Sequence, residues 1–150
     1  MEKGKSILVV DDDKTILKSL RDVLRSEGYH VDTADNGKEA IEKSEAGSYN
    51  LALLDIKLPD MEGTELLVKM HESLPSMMKI MVTGYPELEN AVESLNKGAD
   101  AYLMKPVSPD NLLKVVKEKL MEQEEADKMS QEKVKKWIET RVRKLKSGGL

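Results

Sequence analysis

Acidic residues follow two short apolar segments of the chain, at positions where side chains could take part in chemistry. Asp11, Asp12 and a third aspartate follow the apolar run 7–10, and Asp55 follows the run 51–54. Carboxylates held a few ångströms apart repel one another, and such a cluster is stable only when a cation or a basic side chain neutralises it. A carboxylate in this setting can also attack phosphorus and form an aspartyl phosphate.

A hydroxyl group and an ammonium group follow two further apolar segments. Thr83 comes after the run 79–82, and Lys105 comes after the run 101–104 and before Pro106. A lysine binds a phosphoryl oxygen as a point charge. Mg²⁺ favours sites with one or two carboxylates and several waters, and it offsets the charge of a transferring phosphoryl group. Together these residue types predict Mg²⁺-assisted phosphoryl transfer if the fold brings them together.

The elements that would position these residues alternate along the chain between strands and helices. Short, uniformly apolar runs indicate strands buried on both faces of a sheet. Helical periodicity and Gly, Pro and Asn breakers separate them. The predicted fold is α/β, a doubly wound, five-stranded parallel sheet with helices on both faces. If its strand order is 2-1-3-4-5, as in a flavodoxin-like sheet, the residues after strands one, three, four and five converge at one edge. In such a sheet the functional crevice lies at the carboxyl ends of the strands. The predicted strands cover residues 7–10, 29–34, 51–54, 79–82 and 101–104.

Composition limits the classes of protein to which the chain can belong. Among its 150 residues there is no cysteine, which excludes disulfides and thiolate metal sites. We find no apolar stretch of the roughly 20 residues that a membrane span needs, nor a secretory signal, and therefore expect a cytoplasmic protein. The formal net charge of −4 argues against general nucleic-acid binding.

Some conspicuous residues have a structural explanation. Asp13 stands where it can cap the first helix. Four methionines occupy predicted core positions, where a flexible thioether fills gaps more readily than it ligates a metal. These methionines are Met70, Met78, Met81 and Met104.

Four segments of the chain jointly resemble the receiver domain of response regulators. They are Ile-Leu-Val-Val-Asp-Asp-Asp at 7–13, Leu-Leu-Asp at 53–55, Met-Val-Thr-Gly-Tyr at 81–85 and Tyr-Leu-Met-Lys-Pro at 102–106. The resemblance extends over residues 5–122 in order and spacing. We therefore expect a receiver domain at 1–122. The remaining residues, 123–150, are predicted to form a charged amphipathic helical tail without a separate output domain.

The resemblance also implies a phosphoacceptor and a metal site. Asp55 matches the aspartate that takes the phosphoryl group and ligates Mg²⁺, with Mn²⁺ as an alternative ion. Asp12 matches a direct ligand, and Asp11 matches a residue that acts mainly through a bound water. The backbone carbonyl of Lys57 matches the remaining protein ligand.

Other matched positions imply a conformational switch. Thr83 matches the residue that moves toward the phosphoryl group, and Tyr102 matches the aromatic side chain that turns inward when it does. Lys105 matches the family's phosphoryl-binding lysine, whose bond to Pro106 is cis in this family. Lys57, and Tyr85 two residues past Thr83, match positions that tune hydrolysis of the phosphoryl group.

The function implied by the resemblance is a phosphorylation-controlled signalling switch. A sensor histidine kinase or a phosphotransfer protein would supply the phosphoryl group. The output would be binding to a downstream protein, with homodimerisation as a further mode and no direct nucleic-acid binding. The domain would not be an enzyme beyond its own phosphotransfer and slow autodephosphorylation.

A second interpretation assigns the nucleophile to Asp11 rather than to Asp55. Asp11-x-Asp13-x-Thr15 after an apolar strand also resembles the start of haloacid-dehalogenase-type phosphatases, which use Mg²⁺ and an aspartyl phosphate. That family needs a further acidic pair after its lysine, and here only Asp110 lies close behind Lys105. It would also leave Asp55 without a role.

The tail has an uneven charge distribution. Residues 117–132 contain six acids and three bases, whereas residues 133–146 contain seven bases and one acid. Five apolar residues share one side of the helix predicted there, namely Val134, Trp137, Ile138, Val142 and Leu145. A basic amphipathic helix suits dimerisation or self-docking, an acidic partner, or a membrane or nucleic-acid surface. The sequence leaves these alternatives open.

Overall fold

The computed structural model describes residues 4–84 and 93–146 of the chain. Five strands and four long helices are defined within these ranges. In chain order they are β1 (Ser6–Val10), α1 (Lys14–Ser26), β2 (His30–Ala34), α2 (Gly37–Ala46), β3 (Leu51–Asp55), α3 (Gly63–Ser73), β4 (Met78–Thr83), β5 (Ala101–Met104) and the C-terminal helix (Pro109–Lys146).

The strands form one parallel sheet in the order β2-β1-β3-β4-β5, which confirms the predicted topology. Val10 pairs with Leu54, so that β1 and β3 end side by side. Asp55 in turn pairs with Val82, one residue before the end of β4. This register brings the residues that follow β1, β3 and β4 to one edge of the sheet.

Two apolar layers cover the sheet, one on each face. Alternate residues of each strand enter opposite layers, because successive side chains of a strand point to opposite sides. Ile7 and Leu53 belong to the layer that also contains apolar residues of α1, whereas Leu8 and Leu54 belong to the layer that contains apolar residues of α3. All four are almost fully buried. The inner strands are therefore apolar throughout, as a doubly covered parallel sheet requires.

Capping side chains and a glycine define the ends of several helices. The carboxylate of Asp13 accepts hydrogen bonds from the backbone N–H groups of Thr15 and Ile16, which confirms its predicted capping role. Gly28 follows α1 with φ of +95°, a conformation that favours glycine. Ser108 Oγ accepts from the N–H of Asn111 at the start of the C-terminal helix. These ends fix where each helix meets its strand.

The expectation for one methionine was wrong. Met70 and Met81 are buried as predicted, but Met104 is 53% exposed. β5 is one of the two edge strands of the sheet and, within the described residues, pairs with β4 alone, so the carboxyl end of β5 is only partly covered. The apolar run 101–104 therefore did not predict burial at its last residue, although Leu103 in the same strand is buried.

One predicted helix falls partly outside the described residues. Residues 93–96 are helical and precede Gly98, which has φ of +112°. The remainder of the helix predicted for 88–96 lies outside the described residues, as does Tyr85.

The chain divides into two compact units, Met1–Leu120 and Met121–Leu150. In the second unit the chain is helical through Lys146, and every residue from 124 to 146 is exposed. The domain boundary predicted at 122/123 stays a prediction. None of the helices within residues 4–84 and 93–146 combines the length and apolarity that crossing a membrane requires.

Candidate functional site

Three carboxylates converge at the carboxyl ends of β1 and β3. An oxygen atom from each of Asp11, Asp12 and Asp55 lies within 4.8 Å of the others. Asp11 and Asp55 are buried, with 2% and 6% of their surfaces exposed, whereas Asp12 is exposed. The cluster therefore has an inner pair of acids and an outer acid that faces solvent.

Lys105 enters this cluster from the end of β5. Its Nζ lies 2.6 Å from Oδ2 of Asp11 and 3.4 Å from Oδ2 of Asp55. The backbone N–H of Lys105 donates to the carbonyl of Thr83 at 2.7 Å, which fixes the chain where it leaves the sheet. One ammonium group thus lies between two buried carboxylates and partly neutralises them.

The pKa of Asp55 is raised above its ordinary value. Burial is the largest cause, and the charge of Asp11 adds to it. The Lys105 ammonium and a hydrogen bond from the backbone N–H of Lys57 act in the opposite direction. For Lys105, burial lowers the pKa, but the hydrogen bonds and charges of both carboxylates outweigh it and the pKa is raised. The lysine is therefore held in its charged form.

The loop after Asp55 is held against the strand by a glycine. The N–H of Gly63 donates to the carbonyl of Ile56 at 2.7 Å. A Cβ atom at position 63 would lie 1.9 Å from the carbonyl oxygen of Asp55 and 2.7 Å from Cα of Ile56. Only glycine allows this close backbone approach. Sequence reasoning missed this role, because the loop composition alone does not show which backbone the glycine approaches.

Asp60 ties the same loop to a neighbouring helix. Its two carboxylate oxygens accept from the N–H groups of Gly37 and Lys38, at 2.8 and 2.9 Å, at the start of α2. These two backbone hydrogen bonds lower the pKa of Asp60. The sequence offered no signal for this contact, since Asp60 and Gly37 are 23 positions apart.

The two predicted switch residues lie on adjacent strands. Thr83 is fully buried at the end of β4 and pairs with Met104. Tyr102 is half-buried on β5 and packs against the apolar layer that contains Leu54. The bond between Lys105 and Pro106 is cis, as the resemblance implied.

The carboxylate cluster has the donor chemistry of a hard-cation site. It offers oxygen ligands only, and two of its three acids are buried side by side with one lysine as the nearby cation. A divalent ion that takes a few protein oxygens and keeps several waters suits this donor set. Asp12, on the exposed side, could approach such an ion from solvent. The residues present therefore fit Mg²⁺.

Comparison with known proteins decides the family. A family model described as the response regulator receiver domain matches residues 7–117. The chain belongs to the response regulator receiver family. Receiver domains bind Mg²⁺ through an acidic pocket, and this chain has an acidic cluster of Asp11, Asp12 and Asp55. Nothing in the family match favours the phosphatase interpretation.

Individual relatives and solved structures agree with this membership. The chain is 40% identical over 114 residues to the transcriptional regulatory protein ZraR of Klebsiella oxytoca, covering 76% of this chain and 26% of that protein. It is 40% identical over 111 residues to the transcriptional regulatory protein ResD of Bacillus subtilis, covering 74% and 46%. The chain thus spans about a quarter to a half of the length of these two relatives.

Among solved structures, a CheY-like response regulator receiver domain protein from Methanospirillum hungatei superposes with a TM-score of 0.80 at 59% identity. The match covers 83% of this chain and 99% of that one. NtrX from Brucella abortus superposes with a TM-score of 0.81 at 28% identity, covering 85% of this chain and 29% of that one. The receiver fold thus makes up nearly all of one of these solved chains and less than a third of the other.

Proposed function

We propose that this receiver is a signalling switch in which Asp55 accepts a phosphoryl group. The observation that carries the proposal is the placement of Asp55, which is buried at the end of β3 within reach of Lys105 and beside two further carboxylates. A nucleophile in this position has both a neutralising cation and an anionic site able to hold a divalent ion. No other aspartate of the cluster ends an inner strand of the sheet.

The proposed transfer proceeds by attack of an Asp55 carboxylate oxygen on phosphorus. The bond between phosphorus and the donor's leaving atom breaks, and the leaving atom takes a proton from solvent. Asp12, Asp55 and the carbonyl of Lys57 would hold a bound Mg²⁺ directly, and Asp11 would act mainly through a bound water. The ion would supply positive charge that offsets the phosphoryl oxygens. The product is an acyl phosphate, from which water later removes the phosphoryl group.

Lys105 would change partners during this reaction. Its Nζ holds Asp11 at 2.6 Å and Asp55 at the longer distance of 3.4 Å before transfer. A phosphoryl group on Asp55 adds negative charge beside this ammonium group, which can then bind a phosphoryl oxygen. The proposed role of Lys105 is therefore to neutralise the acids first and the phosphoryl group afterwards.

Thr83 and Tyr102 would report the phosphoryl group to the surface. Thr83 ends the strand next to β3, so a small movement can bring its hydroxyl to a phosphoryl oxygen. Tyr102, half-buried on the adjacent strand, would turn inward into the space that Thr83 vacates. The surface around β5 would then offer a different face to a downstream protein.

The partners and setting follow from this chemistry. The proposed phosphodonor is a sensor histidine kinase or a phosphotransfer protein, and the proposed location is the cytoplasm. The domain would catalyse only its own phosphorylation and its slow dephosphorylation. Lys57, which is exposed beside Asp55, would influence the rate of that hydrolysis.

Phosphorylation of single-residue variants tests the assignment. The wild-type chain, Asp55→Asn and Asp11→Asn are treated with a small phosphoramidate donor and Mg²⁺, and Asp22→Asn serves as a matched control because Asp22 is an exposed acid on α1. We expect labelling of the wild type and of the control, weak labelling of Asp11→Asn, and none of Asp55→Asn. Labelling that survives the loss of Asp55 but not of Asp11 would overturn the proposal.

A further inference from the structure

The basic end of the second unit has an apolar side that the rest of that unit does not cover. Within residues 133–146, here called the basic segment, the apolar stripe consists of Val134, Trp137, Ile138, Val142 and Leu145. Each of these side chains is between 42% and 66% exposed. Successive members lie three, one, four and three residues apart, which places all five on one side of a helix with 3.6 residues per turn.

Charge surrounds this stripe on both sides. The basic segment contains seven basic residues and one acid, Glu139. Lys135 and Lys144 fall at opposite borders of the stripe, so their long side chains can place ammonium groups beside a surface that the stripe enters. Arg141 falls within the stripe, one turn after Trp137, and its guanidinium lies over the Trp137 ring, 4.7 Å from its centre. A helix with this arrangement suits a flat, anionic surface with an apolar interior.

A second copy of the chain is a poorer occupant of this stripe. A coiled coil needs apolar residues at alternating steps of three and four over several heptads. Extending the spacing of the stripe toward the amino end reaches Gln131, Asp127 and Glu124 instead. Pairing two basic segments would also place like charges together, which opposes association. The residues that would extend a dimer interface are therefore the wrong type.

We propose that the basic segment binds the surface of an anionic lipid bilayer. The apolar stripe would enter the boundary between headgroups and acyl chains, and the bordering lysines and arginines would lie at the headgroup phosphates. This inference does not depend on phosphorylation of Asp55. The proposed membrane binding belongs to the second unit, whereas the carboxylate cluster belongs to the first.

The single tryptophan of the chain makes the proposal directly measurable. Because Trp137 belongs to the stripe, its emission shifts to the blue when the stripe enters an apolar environment. The full chain is mixed with vesicles of equal parts phosphatidylglycerol and phosphatidylcholine, and with vesicles of phosphatidylcholine alone. We expect co-sedimentation and a blue shift with the anionic vesicles only, both weakened at high salt because exposed charges are screened.

Two pairs of variants separate the apolar and the electrostatic contributions. Ile138→Asp should lower the partition coefficient between water and anionic vesicles by about tenfold or more. Met129→Asp is its control and should leave the coefficient near the wild-type value. Met129 is similarly exposed, but it lies nine residues away on the opposite side of the helix. Lys135→Glu should lower it by at least about fivefold, the value of one basic residue near an anionic surface. Lys128→Glu, outside the basic segment, is its control. Circular dichroism on each variant checks that the helix is retained.

Several outcomes would overturn the proposal. Absence of binding to anionic vesicles would do so, as would equal binding to neutral vesicles or binding that Ile138→Asp leaves unchanged. A blue shift that grows with protein concentration without vesicles would place the stripe against a second copy. The same shift with soluble polyglutamate would identify an acidic polypeptide as the partner instead.

Discussion

The two units of the chain use the same apolar residue types in opposite ways. In the first unit the branched side chains of Leu8, Leu54 and Ile80 are completely buried between sheet and helices. In the second, Val134 and Ile138 lie on one side of a helix and are about half exposed. Both units show regular periodicity, so periodicity alone does not distinguish a core residue from a docking residue.

The difference in charge is equally instructive. In the receiver unit a few ionic groups are buried together, and each has a partner, as Asp11 and Lys105 do at 2.6 Å. In the basic segment the charges are many, exposed and mostly of one sign. Buried opposite charges define a site for chemistry, whereas an exposed excess of one sign defines a surface for attraction.

The largest expected effect is the loss of stability when a buried apolar residue of the first unit is truncated, compared with an exposed one of the second. Leu54→Ala should lower the free energy of unfolding by about 2–5 kcal/mol, because it empties a fully buried position in the strand that carries Asp55. Ile138→Ala should change it by less than about 0.5 kcal/mol, because that side chain is half exposed in the absence of a bound surface. Urea unfolding followed by circular dichroism measures both. Equal losses would mean that the stripe is already covered within the free protein.

A smaller effect is expected from a glycine of the phosphorylation site. Gly63→Ala should cost about 1–3 kcal/mol, because the added methyl group meets backbone atoms of Asp55 and Ile56 that cannot move freely. Gly37→Ala is the control, since the three atoms nearest to its methyl group would all belong to the flexible side chain of Met61. The same unfolding experiment compares them. A Gly63 variant as stable as the Gly37 variant would show that the loop is not fixed against the strand.

The smallest effect concerns a hydrogen bond at the edge of the receiver unit. Tyr49 Oη donates to Oδ2 of Asp32 at 2.6 Å. Burial, and then this bond and the charge of Asp32, raise the pKa of Tyr49 to about 12. The folded pKa exceeds the value of about 10 for an unfolded tyrosine, so the stabilisation is complete below pH ~10 and is lost as the pH rises toward 12.

Tyrosinate absorbance tests this pH dependence. The wild type should show one tyrosine that titrates near 12, and Asp32→Asn should move that titration lower. Tyr49→Phe should remove it and cost at most about 1 kcal/mol below pH 10, because the pair is partly exposed to solvent. Titration of all folded-state tyrosines near 10 would contradict the hydrogen bond.

The sequence was sufficient to predict which side chains lie together in the carboxylate cluster, because their proximity depends on the order of the strands that precede them. Asp11, Asp55 and Lys105 all follow apolar strands, and parallel topology brings the carboxyl ends of those strands to one edge. Each residue could therefore be placed without knowing its individual contacts.

Other features depended on contacts that no local pattern encodes. Asp60 binds backbone groups 23 positions away, and the role of Gly63 depends on the path of the strand that it approaches. The burial of Lys79 also depends on such a contact. This lysine is 1% exposed, and its Nζ donates to the carbonyl of Leu74 at 3.0 Å. Burial of a lysine in a strand requires a carbonyl within reach, and only the folded chain shows one.

Chemical identification of the phosphorylated residue tests the assignment of Asp55 most directly. Borohydride reduces an aspartyl phosphate to homoserine, which marks its position permanently in a peptide. After phosphorylation with Mg²⁺, reduction and proteolysis, mass spectrometry should find homoserine at position 55 and at no other aspartate. Homoserine at position 11 or 12, with Asp55 unmodified, would contradict the account.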